Sequence, residues 1–274
     1  MTQLYNLTLT TTGLLEMLGK TAVLAGIALV VLNGMGCRKA STATADHVAV
    51  RPSAEAIVEA DRYYAQRADL VKVRQAIVSL RQAQADDPAN YDLAWRLAKF
   101  DYYLGAHTPD STEQDKAYRE GIEAGKLAVR LQAGKPEGHF WLGANYGGNA
   151  QISTLSGLGE LDDIKQEMET VLKIDEGFQS GSAYMVLGQV YLESPRFLGG
   201  DTSKAISYLE KGIKVGPNNA VMRVRLAQAY AEAHRNDEAR KQIDALRAMK
   251  PLPDYAPEYQ DALAEAKKLE DKIK

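Results

Sequence analysis

The chain has 274 residues, an apolar fraction of 45% and a formal net charge of −3, which are ordinary values for a globular protein. This charge gives no support for nucleic-acid binding or for a basic membrane-contacting surface. The single cysteine excludes an intramolecular disulfide framework and a cysteine-based zinc site, and no two of the four histidines lie within four residues of each other. We therefore expect no metal ion, no cofactor and no nucleic-acid partner.

Residues 1–36 are predicted to be a signal peptide of the lipoprotein type. Residues 21–32 form an apolar run of twelve residues, the size of a signal-peptide core and short for a bilayer span of about 20 residues. Small residues lead from this run into Cys37, as at bacterial lipoprotein cleavage sites, although Gly34 stands where that pattern prefers leucine. Met17, followed by the basic Lys20, would be a more ordinary start, so residues 1–16 are a misplaced start or an unusual leader.

Cys37 is predicted to become the acylated first residue of the mature protein. The alternatives are a free thiol after an uncleaved anchor and a cysteine near an ordinary secretory cleavage site. Multiple acylation anchors a protein stably to a membrane. Arg38 rather than aspartate follows the cysteine, which favours the outer membrane in sorting signals of this type. Residues 37–53 are small and polar and are predicted to be a flexible tether in the periplasm.

Apolar residues recur at helical spacing from residue 54 onward, and no alternating strand pattern is found, which predicts an all-α fold. Pro88 and Pro136 are expected to end the first two helical units, and residues 105–111 are expected to form a loop. A break is expected near residues 156–159. The helices predicted in the first three units cover residues 56–64, 70–85, 91–104, 113–131, 138–155 and 162–174.

Residues 182–251 are predicted to form two consecutive helix–turn–helix units. Ala227 and Ala239 are small residues where two helices would cross, and Pro251 would stop the second helix. These positions match the tetratricopeptide (TPR) repeat, as do Gly188 and Ala205 in the preceding unit. Repeats of about 34 residues predict a solenoid, because one helical hairpin cannot bury its own apolar face.

The preceding unit carries an insertion, residues 193–201, before its second helix. Asp201 or Thr202 is predicted to be the N-cap of that helix. Phe197 and Leu198 are expected to pack back onto the neighbouring hairpin. Residues 255–273 have one narrow apolar stripe, Leu263, Ala266, Leu269 and Ile273, on a charged helix, which is typical of a terminal capping helix.

Together these patterns predict an all-α, TPR-like solenoid of about five helical hairpins over residues 54–274. We expect a right-handed superhelix with a C-terminal capping helix. No arrangement of nucleophile, base and acid is apparent, since His139 and His234 lie on different repeats and no G-x-S-x-G motif occurs. We therefore predict that the protein is not an enzyme.

Residues 121–131, 138–147 and 193–213, on a TPR chain behind a lipoprotein-like signal, resemble the T-component family of tripartite ATP-independent periplasmic (TRAP) transporters. The P-x-x-L-G-G-D insertion is the most specific part of the resemblance, which covers about residues 55–250. The resemblance implies a periplasmic TPR lipoprotein that associates with a periplasmic ligand-binding protein, the P-component. It also implies oligomers with a cavity for a hydrophobic ligand.

The expected function is therefore a lipid-anchored scaffold that docks a ligand-binding protein and binds a hydrophobic small ligand. A general TPR adaptor for envelope proteins or peptides is the alternative. Trp141 is off the repeat consensus and is expected at an exposed or cavity site, whereas three of the tyrosines occupy consensus positions that favour the core. The candidate ligand- or partner-binding residues are Trp141, Asn145, Tyr146, Tyr184, Tyr191 and Phe197.

Overall fold

The computed structural model describes residues 52–152, 157–250 and 255–273, and this part of the chain contains eleven α-helices and no strand. A short 3-10 helix, Arg196–Leu198, lies between the seventh and eighth α-helices. The α-helices are α1 Ser53–Tyr64, α2 Leu70–Asp86, α3 Tyr91–His107, α4 Ser111–Leu131, α5 Pro136–Ile152, α6 Gly157–Ile174, α7 Ser182–Glu193, α8 Thr202–Val215, α9 Ala220–Glu232, α10 Asn236–Arg247 and α11 Ala256–Lys272.

Consecutive helices pack as five hairpins, from α1/α2 to α9/α10, and α11 follows the last hairpin. The first helices of successive hairpins also contact one another, since α3 packs on α5, α7 on α9, and α9 on α11. Ala227 and Ala239 are fully buried, so α9 and α10 approach closely. The predicted all-α, TPR-like solenoid is thereby confirmed.

Polar side chains cap the N-termini of several helices, as predicted for α8. Asp201 is the N-cap of α8, and its Oδ1 accepts a hydrogen bond from the Lys204 backbone N–H at 3.0 Å. Such caps satisfy backbone donors that have no partner inside the helix. The other helices with a hydrogen-bonded side-chain N-cap are α2 (Asp69), α3 (Asn90), α4 (Asp110) and α9 (Asn219).

Three predicted boundaries are wrong. Helix α3 continues to His107 instead of ending at residue 104, and Gly105 lies inside it against the Tyr118 ring, since a Cβ at residue 105 would lie 2.8 Å from Tyr118 Cε1. Pro136 begins α5 rather than ending the preceding unit, as proline is tolerated in the first turn of a helix. Helix α6 begins at Gly157, earlier than residue 162.

The C-terminal helix α11 caps the array. It packs on α9, and its buried face consists of Tyr259, Ala262, Ala266 and Ile273. The predicted stripe members Leu263 and Leu269 are only partly buried. The prediction of a capping helix is confirmed, with its buried face rotated toward Tyr259 and Ala262.

The C-terminal helix also touches the beginning of the solenoid. Arg67, in the turn between α1 and α2, donates from Nη2 to Glu258 Oε1 of α11 over 3.3 Å. Both side chains are largely buried, and the Arg67 guanidinium lies 4.8 Å from the centre of the Tyr64 ring. The two ends of the helix array therefore meet.

The predicted signal peptide, Cys37 and most of the tether lie outside the described residues, as do residues 153–156, where the predicted extension of α5 falls. None of the described helices has the length and apolar character that a membrane span requires.

Candidate functional site

Trp141 lies in the core of the middle hairpins. Its side chain is 1% exposed and packs against Tyr102 and Phe140, with ring centroids 5.8 and 5.1 Å away. Trp141 is therefore not exposed, and the alternative expectation of a cavity site stays a prediction. Its indole Nε1 is buried and has no hydrogen-bond partner among the described residues, which is unusual for a buried indole.

Asn145 lies one helical turn after Trp141 and is fully buried. Its Nδ2 donates to the carbonyls of Ala98, at 2.9 Å, and Trp141, at 2.7 Å. Its Oδ1 is buried and accepts no hydrogen bond within the described residues. Gly121 faces this amide, because a Cβ there would lie 2.1 Å from Asn145 Oδ1. The structure therefore places two polar atoms without partners on one stretch of α5.

Tyr146 is half-buried, and burial raises its pKa to about 12, with a smaller contribution from the negative charge of Asp163. Its neighbourhood differs from that of Trp141, since the charges that act on it come from α4 and α6.

Tyr184 and Tyr191 form a second group of candidates, joined by Tyr208. The Tyr191 and Tyr208 rings stack with centroids 5.5 Å apart, and Tyr184 lies 6.4 Å from Tyr208. Lys165 and Lys204 place their ammonium groups 5.7 and 5.3 Å from the centre of the Tyr191 ring. This half-buried group is a surface of aromatic rings with cations over them.

Phe197 differs most from its prediction. Its side chain is 85% exposed, whereas the neighbouring Leu198 packs against the core. The 3-10 helix and the left-handed Gly199, with φ 87°, turn the insertion back on itself. Gly200 passes so close to the chain that a Cβ there would lie 1.8 Å from the Ser194 carbonyl oxygen. This tight turn can direct only one of the two apolar side chains inward.

His139 connects α5 to α6 and was not among the candidates. Its Nδ1 lies 2.5 Å from Glu167 Oε2 and its Nε2 lies 2.9 Å from the Ala133 carbonyl oxygen. Both neighbours are acceptors, so the protonated ring can donate to both. The hydrogen bond with Glu167 raises the pKa of His139, against the opposing effect of burial.

We expect His139→Gln to lower the free energy of unfolding by about 1–2 kcal/mol in mild acid and by less in base. The folded-state pKa is raised, so this stability is fully present below the ordinary pKa of about 6.5. It is lost as the pH rises through the raised pKa. Thermal melts of wild type and variant at about pH 5.5 and about pH 9 measure this. An equal difference at both pH values would contradict it.

A charged group at the C-terminal end of the solenoid was also not predicted. Glu193, Arg225 and Glu265 lie on α7, α9 and α11, and Arg225 is 2% exposed. An arginine within the apolar residues of α9 was the available signal, but its partners lie far away in the sequence. Within the described ranges no three His, Cys, Asp or Glu side chains are grouped as metal ligands would be.

One solved structure supports the fold, and two others are similar to a lesser degree. A thermophilic TPR protein of Thermus thermophilus (TTC0263) has a TM-score of 0.58 and 19% identity, covering 79% of this chain and 98% of that chain. MamA has a TM-score of 0.48 and 20% identity, covering 80% and 94%. YrrB, a TPR protein with an unusual peptide-binding site, has a TM-score of 0.44 and 17% identity, covering 80% and 100%.

Comparison by sequence identifies the family. No curated protein matches the chain. The model of the TRAP transporter T-component family matches residues 99–268, which begin within α3 and include α4, the last three hairpins, the insertion and most of the capping helix. The chain therefore belongs to the TRAP transporter T-component family.

Proposed function

We propose that the protein is a lipid-anchored periplasmic scaffold that docks the ligand-binding protein of a TRAP-type transport system. Membership of the T-component family supports a TPR-type scaffold in TRAP transport and a location at the cell envelope. T-component and TPR folds are non-catalytic scaffolds, and we propose no enzymatic activity. Acylation of Cys37 would hold the solenoid at the outer membrane through the tether of residues 37–53.

The exposed Phe197 is the observation that favours docking at the insertion. A phenylalanine that is 85% exposed leaves a large apolar surface in water, and partners commonly bind through such aromatic anchors. The adjacent Arg196 is also exposed, and Lys165 and Lys204 lie over the Tyr191 ring on the neighbouring helices. Lys165 is paired with Asp162, so Arg196 and Lys204 supply the cations by which this aromatic surface fits an acidic face of the ligand-binding protein.

The candidates on α5 support binding of a hydrophobic small ligand. Trp141 Nε1 and Asn145 Oδ1 are buried polar atoms without partners among the described residues, and the rings of Tyr102 and Phe140 pack on the Trp141 ring. Ligand sites are mostly apolar with a few polar groups that fix orientation. We propose that these two atoms are the polar groups of such a site and that the protein forms oligomers around it.

Native mass spectrometry of the acylated protein extracted from its own envelope tests this function. We expect a complex that contains a periplasmic ligand-binding protein, together with an apolar molecule released on denaturation. A complex with unrelated envelope proteins or peptides instead would support a general TPR adaptor and overturn the proposal. Lack of the acyl mass on Cys37 would overturn the anchoring alone.

Replacing Phe197 by alanine is expected to weaken the complex by tenfold or more, since aromatic anchors contribute about 2 kcal/mol or more. The fold should be unaffected because the side chain is exposed. Val58→Ala on α1, another apolar side chain that is 70% exposed, is the matched control. Surface plasmon resonance with the captured partner measures both. Equal losses in the two variants would show that the insertion is not the docking surface.

A further inference from the structure

The first helices of the hairpins lie on the inner side of the helix array. Contacts join α1 to α3, α3 to α5, α7 to α9 and α9 to α11. In the part of the chain that the structure describes, no comparable contact joins the second helices α2, α4, α6, α8 and α10 to one another. The side on which neighbouring units come closest is the concave side, which such arrays use for binding. Helices α1 and α11 are therefore the two ends of the concave surface.

An ion pair joins these two ends. Arg67, in the turn that follows α1, donates from Nη2 to Glu258 Oε1 in the first turn of α11 over 3.3 Å. The two side chains are 19% and 8% exposed, and the centre of the Tyr64 ring lies 4.8 Å from the guanidinium. The ion pairs that join two different helices among the described residues are all shorter, at 2.9 Å or less. The two ends are therefore held by a comparatively loose ion pair.

Glu258 is incompletely satisfied at this joint. Its Oε2 is buried and has no hydrogen-bond partner among the described residues. Both oxygens of an ionised carboxylate accept hydrogen bonds, and a buried oxygen without a partner costs free energy. Water would reach this oxygen as soon as the ends separate. The closed joint therefore carries a cost that the open joint does not.

Apolar packing does not hold the joint closed. The buried residues of α11 belong to the core that includes α9, whereas Tyr64, Phe100 and Tyr103 belong to a separate core with residues of α2. No extensive contact of α11 with α1, α2 or α3 is found within the described ranges. Helix α11 can therefore leave the first hairpin and remain packed on α9.

The free energies of the open and closed joint are close, because the attraction between two largely buried charges is offset by the loss of their hydration. We infer that Arg67 and Glu258 form a latch, which opens and closes the concave surface by separating α11 from the turn between α1 and α2. The closed state pairs the two charges, and the open state hydrates them. This inference concerns access to the concave surface, whatever binds there, and goes beyond the proposed function.

Distance measurements on the full-length protein in detergent test the latch. Spin-labelled p-acetylphenylalanine replaces Val58 and Gln260, which are exposed on α1 and α11, so that Cys37 is left unchanged. Double electron–electron resonance then measures the separation of the two ends. We expect two distances in the otherwise wild-type protein, the shorter from the closed joint and the longer from the open joint.

Removing one charge should shift the joint toward the open state. Arg67→Gln leaves the Glu258 carboxylate buried without its cation in the closed state, so the ratio of open to closed molecules should rise by about tenfold or more. The double variant Arg67→Gln/Glu258→Gln removes both charges and should return this ratio to near the wild-type value, because two neutral amides can bond to each other.

Arg247→Gln is the matched control. Arg247 also pairs with a glutamate of α11, Glu270, but this ion pair joins α11 to α10 at a more exposed position. Its removal should leave the ratio of open to closed molecules unchanged. Glu258→Gln should shift the ratio in the same direction as Arg67→Gln, and it keeps the test valid if Arg67→Gln fails to fold.

Three outcomes would overturn the inference. They are a single distance in the otherwise wild-type protein, an unchanged ratio in a folded single variant of the latch, and a double variant that is as open as Arg67→Gln. Circular dichroism establishes which variants are folded. None of these outcomes bears on whether the protein docks a ligand-binding protein, so the two proposals can fail separately.

Discussion

Replacing Arg225 by methionine is expected to lower the free energy of unfolding by about 3 kcal/mol. Arg225 is 2% exposed and holds Glu265 at 2.6 Å. The substitution leaves the Glu265 carboxylate, which is itself mostly buried, without its cation and near the partly buried Glu193. The loss comes from this uncompensated charge rather than from the volume of the side chain, which methionine largely fills.

The double variant Arg225→Met/Glu265→Leu separates these causes. Removing both charges should recover most of the loss, because an apolar pair can replace a buried ion pair at little cost. Arg247→Met is the control, since Arg247 pairs with Glu270 at a much more exposed position and should cost about 1 kcal/mol or less. Urea unfolding of the variants measures all of these values. A double variant as unstable as Arg225→Met would show that packing, not charge, determines the loss.

Replacing Gly188 by leucine is expected to destabilise the fourth hairpin by about 1–3 kcal/mol. A Cβ at residue 188 would lie 2.5 Å from Leu209 Cγ and 2.9 Å from its Cδ2. Leu209 is fully buried, so α7 and α8 must separate to accept the new side chain. The higher helix propensity of leucine returns about 1 kcal/mol at most.

Gly134→Leu is the matched control, because residue 134 is exposed and no heavy atom lies within 4 Å of a Cβ built there. Chemical denaturation followed by circular dichroism compares both variants with wild type. A Gly188→Leu protein that unfolds at the wild-type midpoint would mean that the two helices do not cross at this residue.

The repeat architecture could be predicted from local patterns. Helical periodicity, the small residues at positions 188, 227 and 239, and the insertion before α8 predicted the solenoid and the family. The Asp201 cap could also be predicted, because a cap depends on three consecutive peptide units and not on distant packing. The start of α6 was misplaced because glycines were interpreted as a break, although they are compatible with a packed helix.

The direction of individual side chains could not be predicted in the same way. Trp141 lies off the repeat consensus and was expected at an exposed or cavity site, but it is buried against Tyr102 from the preceding hairpin. Phe197 and Leu198 were both expected to pack on the neighbouring hairpin. The tight turn at Gly199 and Gly200 leaves Leu198 in contact with the core and Phe197 exposed. In both cases the orientation of the side chain depends on which residues of other helices or turns pack around it. Hydrophobic periodicity does not contain that information.

The sequence by itself determined that this protein is an all-α TPR solenoid of the T-component family, because repeat spacing and caps act over a few residues. Only the tertiary structure decided which groups face each other across hairpins. Arg67 meets Glu258, 191 residues away, and Glu193, Arg225 and Glu265 converge from three helices. Such contacts depend on how each hairpin is rotated on the next, and that rotation is set by the packing of the whole stack.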